Sequence, residues 1–467
     1  MNGQHLCRHE GGYASFSVDI TEALAEENEL VIRCTDDLRD QAFPYGKQVR
    51  NRGGMWYTPV SGIWQTVWLE SVPEAYIEKL NIENHGASVT ISTVPPLEGT
   101  VNVEQLGQFS LENGRVTIAP ENPHFWCPDN PYLYRFTLET AQDRVESYFA
   151  IRSLEIKKVG KYPRLCLNGK PYFFHGLLDQ GYWPEGLYTP PSDAAVEREL
   201  SEVKALGYNL LRKHAKIEPQ RWYYHCDKLG LVVWQDMVNG GSKYNLWFVT
   251  YLTNVLQPLM RRLPDKAALW GLLSRGSESS RTEYRRELED TVQALRCHPC
   301  VGCWVPFNEG WGQYDAAGAV QAIRALDDTR LVDEASGWYD QGGGDVYSLH
   351  NYFYPLRVRP QTRAVALSEY GGIAWPMPGH EPPRKTYGYG TAKSREELTA
   401  RYKKLQLGTV LPQLQKGLSA LVYTQLTDVE DEVNGLFTYD RTAIKPDANA
   451  VRSVNAALAA EFARVVK

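Results

Sequence analysis

Short apolar runs that end abruptly at polar residues stand out in the second half of the chain. Residues 301–307 (Val-Gly-Cys-Trp-Val-Pro-Phe) form one such run, and Asn308 and Glu309 follow it directly. Residues 364–368 form another, and Glu369 comes next. Continuous apolar runs of this length are typical of parallel strands that are buried on both faces. The pattern therefore predicts two carboxylates at the carboxyl ends of two buried strands.

After residue 170, short apolar runs alternate with amphipathic segments such as the predicted helix at residues 193–200. Eight strands are predicted, at residues 172–175, 208–212, 231–235, 301–307, 331–335, 346–349, 365–368 and 419–424. Eight such strands with intervening helices predict a (β/α)8 TIM barrel, whose active site lies at the carboxyl ends of its strands. The connections at residues 336–345 and 351–363 are too short and too rich in Gly or Pro for full helices, so the barrel is expected to be irregular there.

The first part of the chain has the period of two that strands require. Alternating segments at residues 16–20, 29–33 and 64–70 predict strands, which are too few for a closed sandwich and would leave a sheet edge exposed. Alternating runs between residues 75 and 156 fit a seven-strand immunoglobulin-like sandwich. The predicted domains are thus a partial β domain at 1–72, an immunoglobulin-like β-sandwich at 73–156 and the barrel at 157–467.

Polar side chains collect where the predicted barrel strands end. They include Asp179 after the first strand, Arg212 and His214 at the second, Asp236 at the third, Tyr352 after the sixth and Gln425 after the eighth. A single Glu that closes a strand is more often a solvated loop residue or a helix N-terminal charge. Two carboxylates that face each other across one barrel mouth, however, are what glycoside hydrolysis needs. The pair therefore indicates a glycosidase.

The composition argues against some classes of binding partner and favours others. The net charge of −6 and the pI near 6.0 argue against electrostatic binding to nucleic acid or to an anionic membrane. Thirteen Trp and 28 Tyr suit the apolar faces of sugar rings, although ordinary core packing would also use them. No apolar run reaches the length of a membrane span, and the N-terminus has no apolar signal core. We therefore expect a cytoplasmic protein with a small, neutral ligand.

Two groups of residues raise the question of a metal. Cys297, Cys300 and Cys303 have a spacing that suits zinc or an iron–sulfur cluster, but Cys303 lies in an apolar strand and no fourth ligand is evident. Reduced thiols are the preferred interpretation. The acidic residues at 428–432 favour a polar loop, and their spacing does not require a metal. No metal ligand and no cofactor is predicted, while a structural cation stays open.

The motifs resemble those of glycoside hydrolase family 2, the β-galactosidase, β-glucuronidase and β-mannosidase group. The most specific are Asn-Glu-Gly-Trp-Gly at 308–312 and Ser-Glu-Tyr-Gly-Gly at 368–372. Residues 60–70 resemble the end of the family's sugar-binding jelly roll, the middle of the chain its immunoglobulin-like domain, and the remainder its barrel. The family's jelly roll begins well upstream of Met1, so its first half is expected to be absent. Completion by another subunit of a homo-oligomer, a misassigned start and impaired activity are the alternatives.

The resemblance implies roles for single residues. Glu309 would be the acid/base and Glu369 the nucleophile of a retaining mechanism, with Tyr352 beside the nucleophile and Asn308 on the sugar 2-hydroxyl. Neighbouring negative charge is expected to raise the pKa of Glu309. The other expected sugar contacts are Arg212, His214, Asp236, Asp179 and Gln425, with Trp311, Trp338 and Trp375 as stacking platforms. Each has a structural alternative: Arg212 with Asp236 could form a buried ion pair under the site, and each Trp could be core.

The resemblance also bears on the sugar. The family's glucuronidases carry an Asn-x-Lys clamp for a carboxylate after the eighth strand, whereas residues 430–435 here read Glu-Asp-Glu-Val-Asn-Gly. Acidic residues at that place would repel a uronic acid. The sequence thus indicates a retaining exo-β-glycosidase that acts on β-galactosides. A β-glucuronidase, another uronidase or a β-mannosidase is the alternative within the family, and a catalytically impaired carbohydrate-binding relative is the alternative outside enzymes.

Overall fold

The computed structural model describes residues 1–38, 42–261, 263–380 and 383–467. The strands predicted at residues 16–20, 29–33 and 64–70 are not formed; the described residues before Lys79 contain one short 3-10 helix, Thr21–Ala23, and isolated bridges. An alternating segment becomes a strand only where a neighbouring strand satisfies its backbone hydrogen bonds. These segments have no such neighbour among the described residues, and their apolar side chains stay exposed, as at Val31 (69%) and Leu69 (73%). The assignment of residues 1–72 to a partial jelly roll stays a prediction.

The middle of the chain forms two antiparallel sheets. The strands are β1 (Lys79–Asn84), β2 (Val89–Val94), β3 (Gly99–Val103), β4 (Gly107–Leu111), β5 (Arg115–Ile118), β6 (Tyr134–Thr140) and β7 (Arg144–Phe149). Their order is β1-β2-β5 in one sheet and β4-β3-β6-β7 in the other. Alternate residues such as Val101, Val103, Phe136 and Leu138 share one buried core, because successive side chains of a strand point to opposite faces. The seven strands of the predicted sandwich are thus present.

The barrel is formed by a parallel sheet that follows a short antiparallel unit. That unit consists of β8 (Leu154–Val159), β9 (Tyr162–Leu167) and β10 (Lys170–Pro171). The barrel strands are β11 (Phe174–Asp179), β12 (Leu210–Lys213), β13 (Val232–Asp236), β14 (Val301–Val305), β15 (Phe307–Asn308), β16 (Leu331–Val332), β17 (Ala335–Ser336), β18 (Val346–Asn351), β19 (Ala364–Gly371) and β20 (Leu418–Thr424). Their order is β16-β14-β13-β12-β11-β20-β19-β18, and the short β15 pairs with β17. All eight predicted barrel strands are formed, and the ring is nearly closed, with an open seam between β16 and β18.

Helices connect most of the barrel strands. They are α1 (Asp193–Ala205), α2 (Gln220–Leu229), α3 (Thr253–Val255), α4 (Gln257–Met260), α5 (Ala267–Trp270), α6 (Glu278–Leu295), α7 (Ala316–Leu326), α8 (Arg395–Lys403), α9 (Leu411–Leu414) and α10 (Ala448–Val465), with π-helical segments at Trp247–Leu252 and Lys404–Val410. Ser192 caps α1 by accepting a hydrogen bond from the backbone of Ala195. The connections at 337–345 and 352–363, all described, contain no helix, as predicted. None of the helices described is both long and apolar enough to cross a membrane.

Residues 42–60, called the mouth segment below, lie against the carboxyl ends of the barrel strands. The backbone amides of Tyr45 and Gly46 both donate to the carbonyl of Asn239, at 2.9 and 2.7 Å. Tyr57 is completely buried, and its hydroxyl donates to the carboxylate of Glu432. The N-terminal part of the chain therefore covers one side of the barrel mouth, although it adds no strand to the described sheets.

Candidate active site

Glu309 and Glu369 meet at the mouth of the barrel. Glu309 follows β15 directly and Glu369 lies near the carboxyl end of β19, so the two strands bring both side chains to the same end. Both residues are buried, with 8% and 5% exposure. One carboxylate oxygen of each, together with a ring nitrogen of His350, lie within 4.8 Å of one another. Carboxyls of retaining glycosidases stand about 5–5.5 Å apart, whereas those of inverting enzymes are separated by about 6.5–9.5 Å.

Two donors hold the carboxylate of Glu369. Arg212 Nη1 donates to Oε1 at 3.2 Å, and the hydroxyl of Tyr352 donates to Oε2 at 2.7 Å. The Tyr352 hydroxyl also lies 2.8 Å from Oγ1 of Thr424, and its ring stacks on Tyr389. A guanidinium and a hydroxyl on the two oxygens stabilise the negative charge that a carboxylate nucleophile requires.

Glu309 has a different environment. Burial raises its pKa to about 7, and Lys47, His214 and Arg212 act against that rise. The predicted rise is therefore present, but burial is its cause rather than neighbouring negative charge. Oε1 of Glu309 lies 2.7 Å from Nδ1 of His350, whose own pKa burial lowers to about 3. Since that imidazole is neutral, Glu309 can keep a proton close to neutral pH.

The backbone around Glu309 is held in an unusual conformation. Glu309 and Gly310 have φ values of 53° and 74°, in the left-handed region that costs a non-glycine residue about 1–2 kcal/mol. The amide of Glu309 donates to the carbonyl of Ser336 and its carbonyl accepts from Nε1 of Trp338, both at 2.9 Å. A side chain at Gly310 would meet the ring of Tyr339 at 2.4 Å. These contacts set the direction in which the Glu309 side chain leaves the strand.

Arg212 connects several of the predicted site residues. It is fully buried, and its Nε and Nη2 donate to the carboxylate of Asp236 at 2.9 and 3.0 Å. Nη2 also donates to Oδ1 of Asn308 at 2.7 Å, which leaves the amide Nδ2 of Asn308 directed elsewhere. Burial opposes ionisation of Asp236, but Arg212 and His214, whose Nδ1 is 2.6 Å away, hold the pKa of Asp236 below its usual range. Arg212 thus forms the ion pair with Asp236 and contacts Glu369 as well.

Several buried polar atoms at the mouth have no hydrogen-bond partner in the part of the chain that the structure describes. They are Asn308 Nδ2, Trp311 Nε1, Gln425 Nε2 and Asn434 Oδ1. Gln425 follows a cis peptide bond after Thr424, and its Oε1 accepts from Gln180 at 2.8 Å. Because buried polar groups are normally hydrogen-bonded, such atoms at a barrel mouth suit the hydroxyl groups of a sugar.

Two predicted contacts are occupied by protein groups. The carboxylate of Asp179 accepts from Nζ of Lys213 and from the backbone amide of Gly181. Trp375 packs in a separate apolar cluster that includes Leu398 of α8. Sugar binding by Asp179 and Trp375 stays a prediction, and the geometry favours a structural role for both.

The residues that raised the question of a metal also have protein partners. The thiols of Cys297, Cys300 and Cys303 contact three different backbone carbonyls, those of Ala294, Tyr223 and Trp304. In the acidic loop, Asp428 binds Lys445, Glu430 pairs with Arg52, Asp431 accepts from the amide of Arg384, and Glu432 accepts from Tyr57 and Asn434. Protein donors thus contact each of these four carboxylates.

His350, Lys47 and Glu432 belong to the site but are missing from the residues predicted to form it. His350 follows the sixth predicted strand, two positions before Tyr352, so the sequence predicts that it lies at the mouth, but it predicts no role for it. No local sequence pattern marks Lys47 as a site residue, because no apolar run precedes it. Its position in the site depends on how the mouth segment packs against the barrel. For Glu432 the sequence predicts a place in a polar acidic loop and repulsion of uronic acids, but no contact with the sugar.

Two carboxyls that face each other at the mouth of a (β/α)8 barrel define the class of protein: a glycoside hydrolase. Comparison with known families agrees. The model of the glycosyl hydrolases family 2 TIM barrel domain matches residues 158–411, and the model of glycosyl hydrolases family 2 matches residues 74–152. The chain belongs to glycosyl hydrolase family 2.

Its relatives carry different names. The β-galactosidase of Thermoanaerobacter pseudethanolicus is 22% identical over 418 residues, which cover 82% of this chain and 51% of that protein. The β-glucuronidase of Chlorocebus aethiops is 22% identical over 411 residues, or 76% of this chain and 57% of the relative. β-Mannosidase B of Aspergillus clavatus is 25% identical over 56% of this chain and 29% of its own length. The chain therefore spans about half the length, or less, of these relatives.

Solved structures share the fold. The β-glucuronidase of Parabacteroides merdae has a TM-score of 0.66 and 18% identity, with 97% of this chain and 62% of that chain covered. The β-D-glucuronidase of Dictyoglomus thermophilum has a TM-score of 0.66 and 15% identity, with 97% of this chain and 84% of that chain covered. At this identity the likeness extends to the architecture alone.

Proposed function

We propose that this protein is a retaining exo-β-glycosidase that removes terminal, non-reducing β-linked sugars, with β-galactosides as its substrates. The observation that carries the proposal is the approach of Glu309 and Glu369, with one oxygen of each carboxylate within 4.8 Å of the other. Their unlike surroundings support unlike roles, because a double displacement needs one protonated and one ionised carboxyl group.

In the first step, an oxygen of Glu369 attacks the anomeric carbon and the bond to the leaving oxygen breaks. Glu309 gives its proton to that oxygen, so the aglycone departs as an alcohol and a glycosyl ester of Glu369 remains. Arg212 and Tyr352 keep the attacking carboxylate oriented until the bond forms. Asn308 Nδ2, buried without a partner among the described residues, is proposed to donate to the sugar 2-hydroxyl.

In the second step, Glu309 acts as a base. It takes a proton from a water molecule, whose oxygen attacks the anomeric carbon and displaces Glu369 as a carboxylate. The two inversions give net retention of the anomeric configuration. No cofactor and no metal enters either step. A cytoplasmic location and a homo-oligomeric state remain predictions from the sequence.

The charges around the site support a neutral sugar. Asp236, Glu309, Glu369 and Glu432 surround two cations, Arg212 and Lys47. With Glu309 protonated, three negative charges face two positive ones, and the carboxylate of a uronic acid would add a fourth. The β-galactosidase named among the relatives supports galactose as the first choice.

A β-glucuronidase is the second candidate. Both a curated relative and fold neighbours carry that name, and Lys47 supplies a cation in the site that the acidic sequence at 430–432 does not suggest. The Glu432 carboxylate beside Lys47 is the reason for placing this candidate second.

A panel of 4-nitrophenyl β-galactoside, β-glucuronide and β-mannoside tests the proposal, together with proton NMR of the first sugar released. We expect cleavage of the galactoside with retention of configuration. Inversion would overturn the mechanism, and faster cleavage of the glucuronide would overturn the choice of sugar. A folded protein that cleaves none of the three would favour a carbohydrate-binding relative.

A further inference from the structure

The ammonium group of Lys47 lies inside the candidate site without a hydrogen-bonding partner among the residues that the structure describes. Lys47 belongs to the mouth segment, and we infer that it binds a hydroxyl group of the sugar and so contributes to substrate choice from outside the barrel. This inference rests on the proposed glycosidase function, but it concerns a residue that takes no part in the bond-breaking steps.

The surroundings of Lys47 are aromatic. The residue is only 5% exposed, and its Nζ lies 4.4 Å from the ring centroid of Trp311 and 5.7 Å from that of Trp56. Within the described residues, Nζ makes no hydrogen bond, and no carboxylate oxygen approaches it within 4.0 Å. Rings attract a cation but accept no conventional hydrogen bond, so the donor capacity of this ammonium is unused.

Other buried lysines of the chain are paired. Lys213 contacts Asp179 and Glu218, and Lys216 contacts Glu218 at 2.9 Å. Lys445 contacts Asp428 at 2.6 Å. A buried lysine normally needs such a partner, because removing its charge from water costs several kcal/mol. Lys47 departs from this pattern, and it lies at the barrel mouth, where a polar ligand would bind.

Several carboxylates of the candidate site act on the charge of Lys47. Among the acidic groups that act on its charge, Glu432 acts most strongly, followed by Glu369 and then Glu309. Glu432 is fixed by the hydroxyl of Tyr57, in the same mouth segment, and by Nδ2 of Asn434 at 3.1 Å. Lys47 therefore lies among the carboxylates of the candidate site, beside the ring of Trp311.

The chemistry at this place fits a hydroxyl better than a carboxylate. A sugar hydroxyl can accept a hydrogen bond from Lys47 and donate one to Glu432, and both groups are then satisfied. A carboxylate would also accept from Lys47, but it would face the charges of Glu432 and Glu369. The expected ligand group is thus a hydroxyl of a neutral sugar.

Replacement of Lys47 in the full chain tests this inference. For Lys47→Met we expect kcat/KM on 4-nitrophenyl β-galactoside to fall by about 10- to 100-fold, the loss typical of a charge-assisted hydrogen bond. The same variant is assayed on the β-D-fucoside, which lacks the 6-hydroxyl, and on the β-glucoside, whose 4-hydroxyl is inverted. The loss should be at least several-fold smaller on one of these analogues, because the wild type cannot make the contact there either. Equal losses on all three sugars, or no loss, would overturn the inference.

The thermal midpoint distinguishes ligand binding from a structural role. Because no carboxylate oxygen of the described residues lies within 4.0 Å of the Lys47 ammonium, Lys47→Met should unfold at the same temperature as the wild type or higher. A lower Tm together with uniform loss of activity would mean that Lys47 only holds the mouth segment in place. Arg52→Met is the matched control, since Arg52 lies in the same segment and pairs with Glu430 at 3.1 Å. It should change kcat/KM by less than about twofold on every sugar, and a loss equal to that of Lys47→Met would contradict the inference.

The remaining outcomes are also decisive. The loss of kcat/KM in Lys47→Met is also compared between 4-nitrophenyl and methylumbelliferyl glycosides. If this loss depends on the aglycone but not on the sugar, Lys47 contacts the aglycone, and the assignment is overturned. A loss of activity confined to the β-glucuronide would mean that Lys47 binds a carboxylate of the sugar rather than a hydroxyl, and would overturn the assignment. If the wild type cleaves no substrate, calorimetric binding of galactose to wild type and Lys47→Met provides the same comparison. Cleavage with an unaffected Lys47→Met variant defeats this inference alone, whereas a protein that neither cleaves nor binds the sugar defeats both proposals.

Discussion

Glu309 and Glu369 are the same chemical group in one enclosed site, yet the protein surrounds them differently. Glu369 receives a guanidinium on one oxygen and a phenolic hydroxyl on the other, while Glu309 contacts a neutral imidazole and has its pKa raised by burial to about 7. Burial with charge-assisted donors stabilises an anion, and burial with few donors favours the neutral acid. Since both groups are buried to a similar degree, the number and charge of their donors are what distinguish the two proposed catalytic roles.

Removing the nucleophile should have the largest effect. Glu369→Gln keeps the size and an oxygen acceptor for Arg212 but cannot form the glycosyl ester. We expect kcat on the best nitrophenyl glycoside to fall by about 10⁴-fold or more, as for other residues that form a covalent intermediate. An unchanged thermal midpoint is the control for folding. Residual activity within a hundredfold of the wild type would contradict the assignment of Glu369 as the nucleophile, and with it the proposed division of roles between Glu309 and Glu369.

Removing the acid should have a smaller effect that depends on the leaving group. Glu309→Gln cannot give a proton, and general acid catalysis contributes about 10²- to 10⁴-fold. We expect a loss in that range with methylumbelliferyl glycosides and a much smaller one in the glycosylation step with dinitrophenyl glycosides, whose leaving group needs no proton. Single-turnover measurements separate this step from deglycosylation. Equal losses with both leaving groups would show that Glu309 is not the acid.

Removing one hydrogen-bond donor from Glu369 should make the environment of its carboxylate more like that of Glu309. Tyr352→Phe deletes the hydroxyl 2.7 Å from Oε2 and leaves the ring in place on Tyr389. We expect kcat/KM to fall by about 10- to 100-fold, the value of a hydrogen bond to a charged group. Tyr389→Phe is the matched control, because it keeps the stacked pair and changes no contact of Glu369. A loss for Tyr389→Phe as large as that for Tyr352→Phe would attribute the effect to packing.

The pH dependence should show the smallest change. Because the pKa of Glu309 is raised to about 7, its proton is lost as the pH rises through that value, and kcat/KM should fall about tenfold per unit above it. The contribution of Glu309 to folding stability should also fall with rising pH, but over a lower range, because a carboxyl whose pKa is raised on folding destabilises the folded state progressively as the pH rises from its unfolded pKa to about 7. Glu309→Gln should therefore unfold at a higher temperature than the wild type at pH 8 and not at pH 4. A wild-type profile flat to pH 9 would contradict the environment described for Glu309.

The barrel and its two carboxylates could be predicted because their signals are local. A parallel strand buried on both faces must be apolar throughout, and the first polar residue after it marks the mouth, as at Asn308 and Glu369. The N-terminal segments had an equally regular pattern, but alternation at residues 29–33 says which side chains share a face and not whether a neighbouring strand exists. Lys47 could not be predicted, because its place in the site depends on how the mouth segment docks. The cause of the raised pKa of Glu309 also required knowledge of burial.

The seam between β16 and β18 is the place where the ring of paired barrel strands is interrupted. Across it, side chains replace the missing backbone ladder: Ser336 Oγ lies 3.2 Å from Ser348 Oγ and donates to Ser368 Oγ at 3.0 Å, and Ser348 Oγ donates to Asp333 at 2.8 Å. Each of these serine hydroxyls contacts at least two other polar groups, so a buried network of side chains connects the two sides of the seam. Glu309, which follows β15, and His350, on β18, lie on opposite sides of this seam. The 2.7 Å contact between Glu309 and His350 therefore crosses the seam and joins its two sides at the mouth of the barrel.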